Sequence, residues 1–116
     1  MKVVKTGTLL SSQAVGASAY TEGLYVGDSD ELLVFFVMTA QGTYTDETLD
    51  IKLQTKDPDG NYYDISGAAF TQVSGDTGTT SEMKAVSTFG SVIRACIAVT
   101  GTTPAYTFSL KFYAKG

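Results

Sequence analysis

Four oxygen-bearing side chains crowd one short stretch of the chain, Asp57, Asp59, Asn61 and Asp64. Oxygen ligands this close together are what a hard cation such as calcium requires. The helical calcium loop, however, has its glycine later than Gly60 stands and closes on a bidentate Glu that this stretch lacks. A turn accounts for the same residues: in Asp57-Pro58-Asp59-Gly60 the proline sets φ at the second position and the glycine supplies the left-handed one. No metal and no cofactor is expected. Nucleophilic catalysis fares no better. The chain has no histidine, so a general base would have to be Asp, Glu or Lys, and no Ser or Thr stands in a nucleophile-elbow context. The 12 Asp and Glu would allow a glycosidase-type pair by number, but most fall in turns or on the solvent side of strands. The single Cys96 can form neither an internal disulfide nor, without histidine partners, a zinc site. Placed mid-strand in an apolar run, it reads as a small packed hydrophobe. The expectation is a protein that is not an enzyme.

Binding chemistry leaves more to weigh. Seven tyrosines raise the possibility of a sugar-stacking platform, although tryptophan is absent. Alternation turns Tyr20, Tyr62 and Tyr106 inward and leaves Tyr25, Tyr44, Tyr63 and Tyr113 outward. A formal net charge of −4, with eight scattered Lys and Arg, argues against a nucleic-acid partner. The longest apolar run, 32–38, is far too short to cross a bilayer as a helix, and the first residues lack the order of a signal peptide, so no membrane partner and no secretion are expected.

The elements that must carry these residues are strands. Low charge, many Thr, Tyr and Phe and 12 glycines favour β structure with tight turns, and 116 residues make one domain, 1–116, able to bury a core without staples. In 105–115, Tyr106, Phe108, Leu110 and Phe112 alternate with polar neighbours. In 91–100, Ile93, Ala95, Ile97 and Val99 do the same. The four-residue link Gly101-Thr102-Thr103-Pro104 suits an antiparallel hairpin between them. Residues 48–56 put Leu49, Ile51 and Leu53 inside, 61–65 return after the Asp-Pro-Asp-Gly turn, and Ser66-Gly67 breaks that strand before Phe70. Residues 82–88 read as a weak edge strand, and 2–10 as a strand, with an extended N-terminal arm over 1–16 as the alternative. The sum is an all-β antiparallel sandwich, jelly-roll or Ig-like, of about eight short strands.

One element breaks the alternation. Leu32, Leu33, Val34, Phe35, Phe36, Val37 and Met38 run without a polar interruption. A strand apolar on both faces needs cover on both, and a chain of this size cannot wrap a third layer, so another protein is expected to cover one face. The contact set is either Leu33, Phe35 and Val37 or Leu32, Val34 and Phe36. The segment 1–10, with Val3, Val4 and Leu9, is the second candidate.

Several blocks in order resemble a known group: 32–40 (LLVFFVMTA), 48–58 (TLDIKLQTKDP), 63–70 (YDISGAAF), 93–104 (IRACIAVTGTTP) and 106–109 (YTFS). They are similar to small virion proteins of tailed bacteriophages, β-sandwiches in the class of capsid decoration or cement proteins. The resemblance covers about three-quarters of the chain, and departs from the group where Ala95 and Cys96 replace bulkier residues. It implies a non-enzymatic protein on the capsid exterior that binds the major capsid protein, stabilises the head, and forms a homo-oligomer such as a trimer. A carbohydrate-binding module, or a phage tail or fibre component, is the alternative.

Overall fold

The computed structural model describes residues 2–116; Met1, part of the expected contact segment, lies outside them. Two antiparallel sheets face each other, and no helix occurs among the described residues. The strands in chain order are β1 (Val3–Val15), β2 (Ala19–Tyr20), β3 (Leu24–Tyr25), β4 (Glu31–Gln41), β5 (Thr48–Lys56), β6 (Tyr62–Ala69), β7 (Val73–Ser74), β8 (Thr80–Val86), β9 (Val92–Thr100) and β10 (Tyr106–Lys115). Sheet A has the order β1-β10-β4-β8. In sheet B, β9 pairs with β5 and with the short β2 and β3, and β5 also pairs with β6 and β7. All-β antiparallel sandwich architecture is what the alternating runs predict. The segment with an arm as its alternative pairs with β10 from Val3 to Val15.

The core lies between the sheets. Sheet A contributes Leu32, Val34, Phe36 and Met38 from β4 and Tyr106, Phe108, Leu110 and Phe112 from β10. Sheet B contributes Leu49, Ile51 and Leu53 from β5 and Ile93, Ala95 and Ile97 from β9. The ring of Phe36 packs on Phe108 of its own sheet at 5.5 Å and on Phe70, beside sheet B, at 5.8 Å between centroids; these aromatic contacts add to simple burial, and the second joins the layers. On β1 the position facing Phe112 is Gly7, and a Cβ there would come within 2.3 Å of the Phe112 ring. The glycine lets the ring lie flat against the neighbouring strand, so its lack of side chain serves packing. The Asp-Pro-Asp-Gly turn forms as expected: Gly60 has φ +94°, its N–H donates to the Asp57 carbonyl at 3.1 Å, and Asp57 Oδ1 accepts from the N–H groups of Asp59 and Asn61. Ser66-Gly67 does not end a strand. β6 continues to Ala69 through a register shift against β5, with Gly67 at φ +74° absorbing the extra residues.

One expectation needs correction. The last two strands are not a hairpin, because β9 lies in sheet B and β10 in sheet A. The Gly101–Pro104 link is instead a crossover between layers, held by residues far away in sequence. Asp46 accepts from the N–H and hydroxyl of Thr102 at 2.9 and 3.1 Å. Glu47, only 2% exposed, accepts from the Thr103 N–H at 3.0 Å with one oxygen and from the Thr45 and Asp46 N–H groups at 2.7 and 3.3 Å with the other. Gly101 has φ +109°, and a Cβ there would sit 2.7 Å from the Glu47 Cα, so the approach requires glycine twice over. The amides of Thr103 and Thr45, in that order, hold the Glu47 carboxyl down at about 2, against an ordinary 4.5.

Next to this latch, the buried Tyr106 hydroxyl has no hydrogen-bond partner within the protein. Burial first, then the nearby Glu47 charge, raises its pKa. An unpaired buried hydroxyl is a cost that phenylalanine does not carry. Tyr106→Phe is therefore expected to leave the melting temperature unchanged or raise it; a clear drop would show that the hydroxyl is bonded in solution. Residues 2 and 116 also meet: the Lys2 N–H donates to the Gly116 carbonyl at 3.3 Å and the Gly116 N–H to the Lys2 carbonyl at 3.0 Å.

Candidate functional site

The apolar run of β4 divides between two faces. Leu32, Val34 and Phe36 are in the core and are thereby removed as contact candidates; Leu33, Phe35 and Val37 point away from it, and Val37 is 40% exposed. Pairing register decides what surrounds them. β10 puts Tyr113 beside Leu33, Lys111 beside Phe35 and Ser109 beside Val37, while β8 puts Met83 on the other side of Phe35. The Phe35 and Tyr113 rings meet edge to face, 5.7 Å between centroids at 85°. Thr6 of β1 stands opposite Tyr113. Between these side chains lies a shallow groove of about 390 Å³, lined by Thr6, Phe35, Val37, Lys111, Phe112 and Tyr113. Met83, 50% exposed, extends the apolar surface to the edge of the sheet.

The second candidate segment splits too. Val3 and Val4 are exposed near the end of sheet A, whereas Leu9 is buried and cannot make an outside contact. Met83 was not a contact candidate from sequence, since only the β4–β8 register brings it beside Phe35 and no local pattern records that register.

The outer face of sheet B carries a different surface. Arg94 of β9 is clamped between two tyrosine rings, its guanidinium carbon 3.9 Å from the Tyr20 centroid and 3.7 Å from the Tyr62 centroid. Its Nε donates to Gln54 Oε1 at 2.9 Å, Gln54 Nε2 donates to Asp64 Oδ1 at 2.9 Å, and Lys52 Nζ reaches Asp64 Oδ2 at 2.9 Å. These bonds hold the Asp64 carboxyl below its usual range, Gln54 first and Lys52 second, and Asp64 in turn raises the Lys52 ammonium. Tyr20 and Tyr62 thus point outward, contrary to the inward orientation that alternation suggested; Tyr20 is 61% exposed. For Tyr20, β2 is only two residues long, so the period-two count started too far away to keep its phase; Tyr62 is in phase with Asp64 and out of phase with the buried Ile65. The chain places Tyr106 inside, as expected, and Tyr25, Tyr44, Tyr63 and Tyr113 outside. Cys96 is free and half-buried on this same outer face.

Asp57, Asp59, Asn61 and Asp64 do not converge. Asp57 is committed to its own turn, where the Asn61 N–H foremost lowers its pKa, and Asp64 to Gln54 and Lys52. No group of three or more metal-ligating side chains forms among the described residues.

Neither a protein-family model nor a curated protein matches the sequence. Among solved structures, a chain in the structure of infectious bursal disease virus, Gt strain, is similar at a TM-score of 0.57 and 13% identity over 97% of this chain. This chain spans 32% of that one. The xylan-binding CBM22-1 domain of a Paenibacillus barcinonensis protein is similar at a TM-score of 0.54 and 13% identity, over 99% of this chain and 96% of that domain. The fold is a jelly-roll-like β-sandwich. Identity this low shows architecture alone, an architecture that serves a virus in one neighbour and sugar binding in the other.

Proposed function

We propose that this chain is a non-enzymatic virion structural protein, a decoration protein on the exterior of a tailed-phage capsid that docks onto major capsid subunits and stabilises the head. One observation carries the reading: the outer face of sheet A presents Leu33, Phe35, Val37, Met83 and Tyr113 as one apolar surface on a sheet that is already packed on its other side. Scattered apolar residues on a surface are ordinary, but a contiguous set centred on one strand marks an interface. A partner that covers it stabilises the assembly by mass action, and repetition over a lattice multiplies the effect. Adding the purified protein to heads that lack it tests this directly. Co-sedimentation at saturable, stoichiometric occupancy is expected, with the density in imaged particles on the head exterior; density on the tail or fibres, or no binding, overturns the capsid assignment.

The second reading, a carbohydrate-binding module, has its own observation in the exposed Tyr20 ring beside Arg94 on sheet B. Each of the two rings already gives one face to the guanidinium, which leaves less free surface for a sugar than an open aromatic platform has. The clamp reads better as a brace for the sheet. Arg94→Ala is expected to cost about 1–2 kcal/mol, because two cation–π contacts go and Gln54 loses its donor. Xylo-oligosaccharide titration should leave the tyrosine fluorescence of the native protein unchanged. A saturable change that Tyr20→Ala removes would favour the sugar reading instead.

A further inference from the structure

The two edges of sheet A differ. β1, at one edge, has three register shifts along its pairing with β10, the kind of irregularity that discourages another chain from adding to a sheet. β8, at the other, pairs with β4 through seven successive residues without a shift, and no strand among the described residues pairs with its far side. It is a regular edge bordering the apolar surface, and the charges it carries at inward positions, Glu82 and Lys84, would repel a strand in the wrong register.

The β8 sequence complements itself. Turned antiparallel about Met83, a second Thr-Ser-Glu-Met-Lys-Ala-Val strand puts Glu82 opposite Lys84 twice, Ser81 opposite Ala85, Thr80 opposite Val86, and Met83 opposite its own copy. Opposite residues in an antiparallel pair share a face, so only registers that match outward with outward positions are available. Centring on Glu82 sets two carboxylates against each other, and centring on Lys84 sets two ammonium groups together; both are repulsive. Lys84 has one acid within reach in the chain, Glu82 at 3.8 Å, and would gain a second across the seam. Glu82 keeps its inward bonds to the N–H and hydroxyl of Thr71 at 2.8 and 3.2 Å.

We propose that two copies of this chain associate edge to edge through β8, antiparallel and centred on Met83, about a two-fold axis that merges their sheets A into one eight-stranded sheet. Such an interface is isologous and closes at two copies. It rests on strand complementarity alone and holds whether or not the capsid reading does. It also brings two outer faces into one continuous surface, with the paired Met83 side chains and Phe35 of each copy at its centre.

Light scattering on a sizing column, at roughly 100 µM where modest interfaces populate, should give twice the 12.3 kDa chain mass. Lys84→Glu, which sets acid against acid, should weaken the dimer at least ~10-fold, and Glu82→Lys with Lys84→Glu should restore it. Because the double variant also loses the Thr71 contact, cysteine pairing provides an independent readout. In a Cys96→Ser background, Met83→Cys should cross-link rapidly under mild oxidant, since directly opposed residues approach within disulfide reach. Ala85→Cys should not, its copy lying about 13 Å away along the strands. A monomer at all concentrations, a dimer indifferent to Lys84→Glu, or equal cross-linking at both positions would overturn the proposal.

Discussion

Val37→Asp should weaken the proposed attachment to capsid heads by at least ~100-fold while leaving the isolated protein folded. Val37 sits on the outward side of β4 in the apolar groove with Phe35 and Lys111, and its backbone neighbours, Phe36 and Met38, supply the core instead. A carboxylate there is solvated in the free protein, so the fold loses only the strand preference of valine, a fraction of ~1 kcal/mol. In the complex the same carboxylate must be stripped of water against an apolar partner, which is costly without a paired donor. Val37→Thr, close in shape and still β-branched, should bind with an intermediate loss. The pair is read by occupancy on heads and by thermal melting. Normal occupancy of Val37→Asp would move the interface off sheet A.

The second large effect concerns stability. Glu47→Ala removes the acceptor of three backbone N–H groups at the crossover and should lower the melting temperature by roughly 10 °C or more. Glu47→Gln keeps the shape but replaces one accepting oxygen with a donor, so one end of the latch opens and an intermediate loss is expected. The acid response identifies the cause. The carboxyl is at about 2 in the folded protein against an ordinary 4.5, so its stabilisation is fully present above about 4.5 and fades as pH falls from there towards 2. Glu47→Gln should flatten the fall in stability over that window. Some slope persists, because Asp57 and Asp64 are also held low by hydrogen bonds that neutralisation would weaken. An unchanged acid limb in Glu47→Gln would mean that the latch is open in solution.

How far these features were legible depends on whether they are local. The alternation in β5 and β10 and the Asp-Pro-Asp-Gly turn are written in neighbouring residues, and the structure has them where the pattern puts them. The two-faced character of 32–38 was readable as well; which face stays outside was not, because seven apolar residues carry no phase of their own. The false hairpin has a related cause. A period of two reports which face of a strand is buried but not which sheet it joins, and a four-residue link fits either a reversal or a crossover. What holds the crossover in place is Asp46 and Glu47, more than fifty positions upstream of Thr102 and Thr103. The loop that holds them, 41–47, is polar throughout and carries no local pattern that sets these two acids apart. Two acids directly before a strand give no sign that the charge of the second will be enclosed by amides. The Arg94 clamp was hidden for the same reason, its three parts being brought together from β2, β6 and β9.

The meeting of Lys2 and Gly116 makes the stretch 2–116 a nearly closed ring. A bridge of a few glycines and serines would seal it, and new ends cut into an exposed turn such as Asp59-Gly60 would yield a permuted protein with every strand in its old place. The same geometry suits the unit for insertion into a surface loop of a carrier, since its two points of attachment are no farther apart than the stems of an ordinary hairpin.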